Sequence, residues 1–399
     1  MSKRTIVALP GDGIGKLVLE QAIRVLEAAG FDAEYVEGDI GWEFWKKEGN
    51  PLPQRTIDLI EKHKIALFGA ITSKPKEEAN KELAPEHQGK GLVYSSPIVG
   101  LRQHFDMDIC MRPCKTYKGN PLNFIRRGQG GKVEEPEIDV VVFRQNTEGL
   151  YGGVEWSNPP QDVYAALKTH PKFMKKFGSV PKEELSVSTR IFTKKATERI
   201  LRAAFDYAVK YGYESVTVCE KPNVIRETSG MMYQMALELQ KKDYPNIYVK
   251  NTNIDAQMMW LTKNPENYGV LVSGNMFGDI VSDGFAGLIG GLGFACSAQF
   301  NPDTGVGVFE PTHGSAPKYA DFPVSITNPI AMIISSCMML DYIEEGEIAN
   351  KIRNAVAEVI SEGKVRTYDM MKLSGSPDVV DNGAASTEQM TNAIIEKLK

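Results

Sequence analysis

The stretch that most restricts how this chain can fold covers residues 268–293, Y-G-V-L-V-S-G-N-M-F-G-D-I-V-S-D-G-F-A-G-L-I-G-G-L-G. Val270, Leu271 and Val272 form the short apolar run of a buried strand, and Ser273, Gly274 and Asn275 stop it. A helix is expected next. On it Asp279 and Asp283 stand four residues apart on one face, where like charges repel unless a cation sits between them. Hard divalent cations such as Mg²⁺ or Mn²⁺ take carboxylate oxygens in this way. A solvated helix face carrying two acids is the plain alternative. The location favours a ligand, because a strand end feeding a helix is where open α/β sheets bind.

At 399 residues the chain is long for one core, and two domains are expected. Hydrophobic residues at 42% and charged residues at 24% describe an ordinary globular protein, while a formal net charge of -5 argues against general nucleic-acid binding. Cys110, Cys114, Cys219, Cys296 and Cys337 form no C-x-x-C pair and read as reduced intracellular thiols. The N-terminal apolar run stops at Pro10, short of a secretory signal, and no unbroken run of about 18 apolar residues suggests a membrane span. A cytoplasmic protein that binds neither membrane nor nucleic acid is expected.

Along the chain, a strand over 5–9, a glycine turn over 10–15 and a helix over 16–29 have the layout of a phosphate site. The spacing G-x-G-x-G, with no acidic residue clearly ending a second strand, speaks against a classical Rossmann fingerprint and for a tight packing turn. A helix over 54–64 and a strand over 65–68 continue the alternation of a parallel sheet covered by helices. Residues 74–90 read as a surface loop, and Ser96 before Pro97 reads as an N-cap. Arg102, Arg112 and Arg144, at element ends or on a helix, suggest a basket for several carboxylates, since guanidinium forks grip carboxylates in pairs. Each could equally be a surface arginine.

Residues 155–187, broken by N-P-P, T-H-P-K and V-P-K, read as an arm or lid. A helix over 194–211 and a strand over 215–219 lead to Lys221, either a solvated charge or, held among apolar groups, a proton carrier. A helix over 229–241 and a strand over 247–250 place Asp255 before a further helix. The segment F-E-P-T-H-G-S-A-P-K-Y-A, 309–320, is rich in small residues and contains His313, more often structural than catalytic in isolation. Helices over 328–344, 347–361 and 387–397 close the chain.

Taken together, N-M-F-G-D-I-V-S-D-G-F-A-G-L-I-G-G-L-G and the spaced set L-R, M-R-P, F-R-Q-N-T-E-G-L-Y-G-G, E-K-P-N and N-I-D-A resemble the isocitrate and isopropylmalate dehydrogenase family over nearly the whole chain. The resemblance implies an α/β, isopropylmalate dehydrogenase-like two-domain fold with helices packed on a mostly parallel sheet. It implies a large cofactor-binding domain over 1–107 plus 290–399 and a small domain over 108–289, whose arm at about 150–193 clasps a second subunit. By the same resemblance Arg102, Arg112 and Arg144 hold substrate carboxylates, with Ser96 at the mouth. Asp279 and Asp283, joined by Asp255 of the other subunit in a homodimer, hold Mg²⁺ or Mn²⁺. Tyr151 and a Lys221 from that subunit handle protons.

Cofactor contacts implied are Thr72, Asn223, His313, Gly314 and Asn328. Lys318 and Tyr319 stand where NAD users carry an acid, and Tyr368 and Lys372 stand where NADP users carry a tyrosine and a base, so NADP is expected. Isocitrate users resemble S-x-N-x-x-L-R before the first arginine, whereas this chain reads Ser96-Pro97-Ile98-Val99-Gly100-Leu101-Arg102. A polar serine argues for a carboxylate tail over an isopropyl group. Isocitrate ranks first, homoisocitrate second and isopropylmalate third. A Mg²⁺-dependent phosphatase or phosphotransferase, and a non-catalytic regulatory subunit of the same fold, are the rival readings.

Overall fold

The computed structural model describes residues 3–399. Its strands are β1 (Arg4–Gly11), β2 (Ala33–Glu37), β3 (Ile65–Ala70), β4 (Ile109–Lys115), β5 (Arg126–Arg127), β6 (Val133–Glu134), β7 (Asp139–Gln145), β8 (Glu155–Ser157), β9 (Ser186–Ser188), β10 (Ser215–Glu220), β11 (Tyr248–Asn253), β12 (Val270–Ser273), β13 (Cys296–Asn301) and β14 (Val306–Pro311). Ten of these form one sheet in the order β11-β10-β12-β7-β4-β13-β14-β3-β1-β2. The outer pairings are parallel, from β11 to β7 and from β14 to β2. The three central ones, β7 with β4, β4 with β13 and β13 with β14, are antiparallel. Two parallel blocks that run in opposite directions therefore meet at an antiparallel seam.

β3, I-A-L-F-G-A, is buried at every position, as a parallel strand covered on both faces must be. Alternate residues of the seam feed different cores. Ile109, Val141 and Phe143 face a cluster with Ile200, Leu201, Ala204 and Phe205 of the helix Lys194–Tyr211. Cys114, Val140 and Val142 face the larger cluster, which includes the helix Ile330–Tyr342. A third cluster, with Val7, Leu9, Phe68, Ile98 and Leu101, lies under the other block. The helix Lys194–Tyr211 starts where expected, with the Thr193 hydroxyl accepting from Ala196 N and Gly212 closing it in the left-handed region.

One expectation needs correcting. Residues 74–90 are not a bare loop: they contain the helix Lys76–Lys81, and Ala79 and Leu83 pack with Trp42 and Trp45. Trp45 Nε1 donates to Ala79 O at 2.9 Å, so two large indoles are covered by a segment whose charges mask its apolar positions. The arm also has regular structure, with β8 paired antiparallel to β9 and the helices Gln161–Lys168 and Pro171–Phe177 between them. The N-terminal turn packs as read: a Cβ on Gly13, at φ 55°, would lie 2.2 Å from Ser315 O. No helix among the described residues is long and apolar enough to cross a membrane.

Candidate active site

The floor of the site follows from register. Cys110 of β4 sits opposite Arg144 of β7 on one side and Gln299 of β13 on the other. Ser297 of β13 sits opposite Glu310 of β14. Because side chains two apart on a strand share a face, Cys110, Arg112, Arg144, Ser297, Gln299 and Glu310 all project to the same side of the seam. Cys110 Sγ and Ser297 Oγ are 3.3 Å apart, which agrees with this.

The helix Asn275–Leu288 lies over that floor. Its approach to β7 depends on Gly278, where a Cβ would meet Arg144 Cβ at 2.8 Å and Cγ at 2.9 Å. The two acids four residues apart do share a face, and the cation between them is Arg112. Its Nη1 donates to Asp279 Oδ1 at 3.1 Å, Asp283 Oδ1 at 3.2 Å and Ser282 Oγ at 2.8 Å. Arg144 pairs through Nη1 with Asp279, and its Nε and Nη2 donate to Asn275 Oδ1 at 3.0 and 2.9 Å. Burial, then the cation on Arg112, pushes Arg144 down to about 10, still protonated at neutral pH. Burial also pushes the Asp283 carboxyl up, with Arg112 opposing and Asp279 reinforcing.

Arg102, on the helix Pro97–His104, reaches the same floor. Its Nε donates to Gln299 Oε1 and its Nη2 lies 3.4 Å from Glu310 Oε1. Gln299 in turn donates to Glu310 and accepts from Asn146 Nδ2 at 2.9 Å. Burial holds the Glu310 carboxyl above its ordinary value against the pull of Arg102 and Arg112. Ser96 is the N-cap residue as read, but among the described residues its hydroxyl makes no capping bond. Ile98 is buried in the core, whereas Val99 is exposed. Tyr151 is half exposed, its ring 5.8 Å from Arg144 Cζ.

Lys221 and Asp255 form an ion pair with each other. Among the described residues neither bonds to Asp279, Asp283 or the three arginines. Nor do the described residues contain a group of three or more acids, histidines or cysteines able to hold a metal within one chain. Asp279 and Asp283 offer two hard oxygen donors on one partly open face, a donor set that fits Mg²⁺ or Mn²⁺ once other oxygens complete the shell.

The other candidate residues gather at the ends of β1, β3 and β14. Thr72 Oγ1 and Ser315 Oγ share a hydrogen bond of 2.7 Å. Among the described residues His313, beside exposed Gly314, keeps a buried Nε2 without a partner, and Thr312 Oγ1 is likewise buried and unpartnered. Burial disfavours the charged form of His313. Two unmet polar atoms beside a glycine and hydroxyls fit a polar nucleotide. Tyr319 and Tyr368 lie with ring centroids 5.7 Å apart, with Lys318 Nζ 4.5 Å from the Tyr319 centroid. Exposed Lys372 follows on the same segment. Asn328 donates to Asp369 Oδ2 at 3.0 Å. Asn223 does not join this group: it lies exposed on the turn carrying Lys221.

Sequence reasoning missed Asn275, Ser282, Gln299 and Glu310. The signal for Gln299 was the alternation S-A-Q-F-N, whose polar members Ser297, Gln299 and Asn301 are all buried, whereas Glu310 follows the apolar run V-G-V-F with no such pattern.

A sheet with this seam, two acids on a helix and three arginines on its floor define a site able to seat a divalent cation beside the carboxylates of a small acid. The isocitrate/isopropylmalate dehydrogenase family model matches residues 5–394, and the chain belongs to that family of β-decarboxylating dehydrogenases, which use NAD(P) and a divalent metal on small hydroxy acids. It is similar to protein DlpA of Legionella pneumophila, 38% identical over 98% of this chain and 58% of that protein, so the chain spans little more than half of that relative. It is 37% identical to a homoisocitrate dehydrogenase of Methanocaldococcus jannaschii, covering 99% of each. The crystal structure of isocitrate dehydrogenase from Methylococcus capsulatus superposes with a TM-score of 0.79 at 33% identity, covering 99% of both chains. A phosphatase or phosphotransferase finds no support in this.

Proposed function

We propose that this chain oxidatively decarboxylates isocitrate to 2-oxoglutarate and CO₂ with NADP and Mg²⁺ or Mn²⁺. The observation that carries the reading is the sharing of Arg112 between Asp279 and Asp283, with Arg144 on Asp279, which sets cationic and anionic recognition side by side. Arg102, Arg112 and Arg144 orient the substrate carboxylates, and the Ser96 hydroxyl receives the tail. Asp279 and Asp283 would hold the metal, which would supply Lewis acidity at the substrate hydroxyl, and Thr72, His313, Gly314 and Asn328 would hold NADP, which would supply the hydride acceptor. Lys221 then manages the hydroxyl proton, and Tyr151 gives a proton to the carbon that CO₂ leaves.

Two features support a shared site: Lys221 and Asp255 stand together on the surface, and exposed Met259, Trp260 and Ile280 lie on the helices that carry Asp255 and Asp279. We therefore infer a cytoplasmic homodimer in which Asp255 and Lys221 of one copy complete the other's site. The division into domains 1–107 plus 290–399 and 108–289 belongs to the same reading. Each parallel block has a cluster of its own on one face, which supports it, while the largest cluster runs through both. Exposed cations at Lys318 and Lys372 favour a 2′-phosphate, while the nearby Asp369 is occupied by Asn328 and Thr367.

Homoisocitrate is the second reading, favoured by exposed Val99 beside Ser96, which suits a longer methylene chain. Initial rates with isocitrate, homoisocitrate and isopropylmalate, each with NADP and NAD, test the proposal. The expected result is the highest kcat/KM for isocitrate, with NADP preferred about tenfold or more. A higher value for isopropylmalate, or NAD equal to NADP, would overturn it.

A further inference from the structure

Glu220, the last residue of β10, is fully buried although it precedes the surface residue Lys221. Every oxygen of its carboxylate is engaged. Oε1 accepts from Gly274 N at 2.7 Å, and Oε2 accepts from Ser229 Oγ at 2.5 Å and Arg190 Nη2 at 2.8 Å. Arg190 Nη1 donates to Ser229 Oγ at 2.9 Å and Thr228 Oγ1 at 3.2 Å. The guanidinium lies 4.6 Å from the Phe192 ring centroid and 5.0 Å from that of Phe277. Ser229 also touches the Lys221 amide, 3.4 Å away.

One buried ion pair thus joins three elements: the arm where it returns after β9, the turn carrying Lys221, and the start of the helix that carries Asp279 and Asp283. Gly274 permits it, since a Cβ there would lie 2.6 Å from Phe192 and 2.7 Å from Glu220 Oε1. We propose that Arg190 and Glu220 are positioning residues that fix the Lys221 turn to the acid-bearing helix and to the arm, so that each chain presents its Lys221 to the partner's site at a fixed placement relative to its own acid-bearing helix, holding the two sites of the homodimer in one arrangement. Neither touches substrate; they act through Lys221 and through the helix. The inference rests on the functional reading above for its catalytic consequence and on the geometry alone for the coupling.

Two measurements on the full-length enzyme test it. In steady-state kinetics, Arg190→Met and Glu220→Gln should each lower kcat about tenfold to a hundredfold, with the KM for isocitrate and the apparent Mn²⁺ affinity within about threefold of wild type. Arg190→Lys, which keeps charge but not the fork, should recover part of the loss. In hydrogen exchange, Arg190→Met should speed exchange together in peptides spanning 186–193, 219–229 and 272–278. If Arg190→Met does not fold, Arg190→Lys carries both expectations at smaller size. A kcat within twofold of wild type, or faster exchange confined to 186–193, overturns the proposal. Should wild-type protein turn over none of the hydroxy acids, the functional reading fails, and the exchange result still decides the coupling.

Discussion

Arg112 shows how the site is built from single residues. A buried guanidinium needs counter-charge, and here two carboxylates and a hydroxyl on one helix provide it. Tyr151 is the opposite case, half exposed, with Arg144 Cζ 5.8 Å from its ring centroid. As the proposed proton donor, Tyr151→Phe should lower kcat by about a hundredfold or more while Mn²⁺ binding, followed by equilibrium titration, stays near wild type. Unaltered turnover would remove Tyr151 from the mechanism. The three arginines were legible as candidates because guanidinium groups at element ends or on a helix suggest carboxylate partners. Gln299 and Glu310 were not: the polar alternation around Gln299 reads on its own as an exposed edge, and Glu310, after the apolar run V-G-V-F, reads as an ordinary charge at a strand end. Their burial comes from partners far along the chain, Arg102 being 197 and 208 residues away.

At the scale of elements, the helix Asn275–Leu288 was foreseen in type and place from the strand, the turn and the acid spacing. Its seating was not, since that depends on Gly278 resting on the backbone and side chain of Arg144. Gly278→Ala should force the helix off β7, costing about 1–3 kcal/mol in denaturant unfolding and weakening metal binding through displacement of Asp279. Wild-type stability together with wild-type affinity would show that this contact is slack. The segment 74–90 illustrates the limit of local reading: its charges are evident, whereas the two tryptophans it covers lie more than thirty residues earlier, Trp45 and Ala79 being 34 apart. The arm was legible as an insertion but not as a helical hairpin, because its helices Gln161–Lys168 and Pro171–Phe177 are too short for a strong periodic signal.

For the whole molecule, strand–helix alternation pointed to a mostly parallel sheet, and the sheet is that. What alternation could not convey is the antiparallel seam, since β13 pairs with β4, a strand contributed nearly two hundred residues earlier. The seam matters because it carries the arginine floor. The chain alone gathers two acids there and leaves Lys221 and Asp255 paired with each other, which is the reason for proposing that two copies complete each site. Co-expressing Asp279→Asn and Lys221→Met chains, each nearly inactive on its own, tests that arrangement directly. With subunits mixed at random, half the dimers are hybrid and each hybrid has one intact site, so about a quarter of wild-type activity should return. A mixture no more active than its parents would contradict the account.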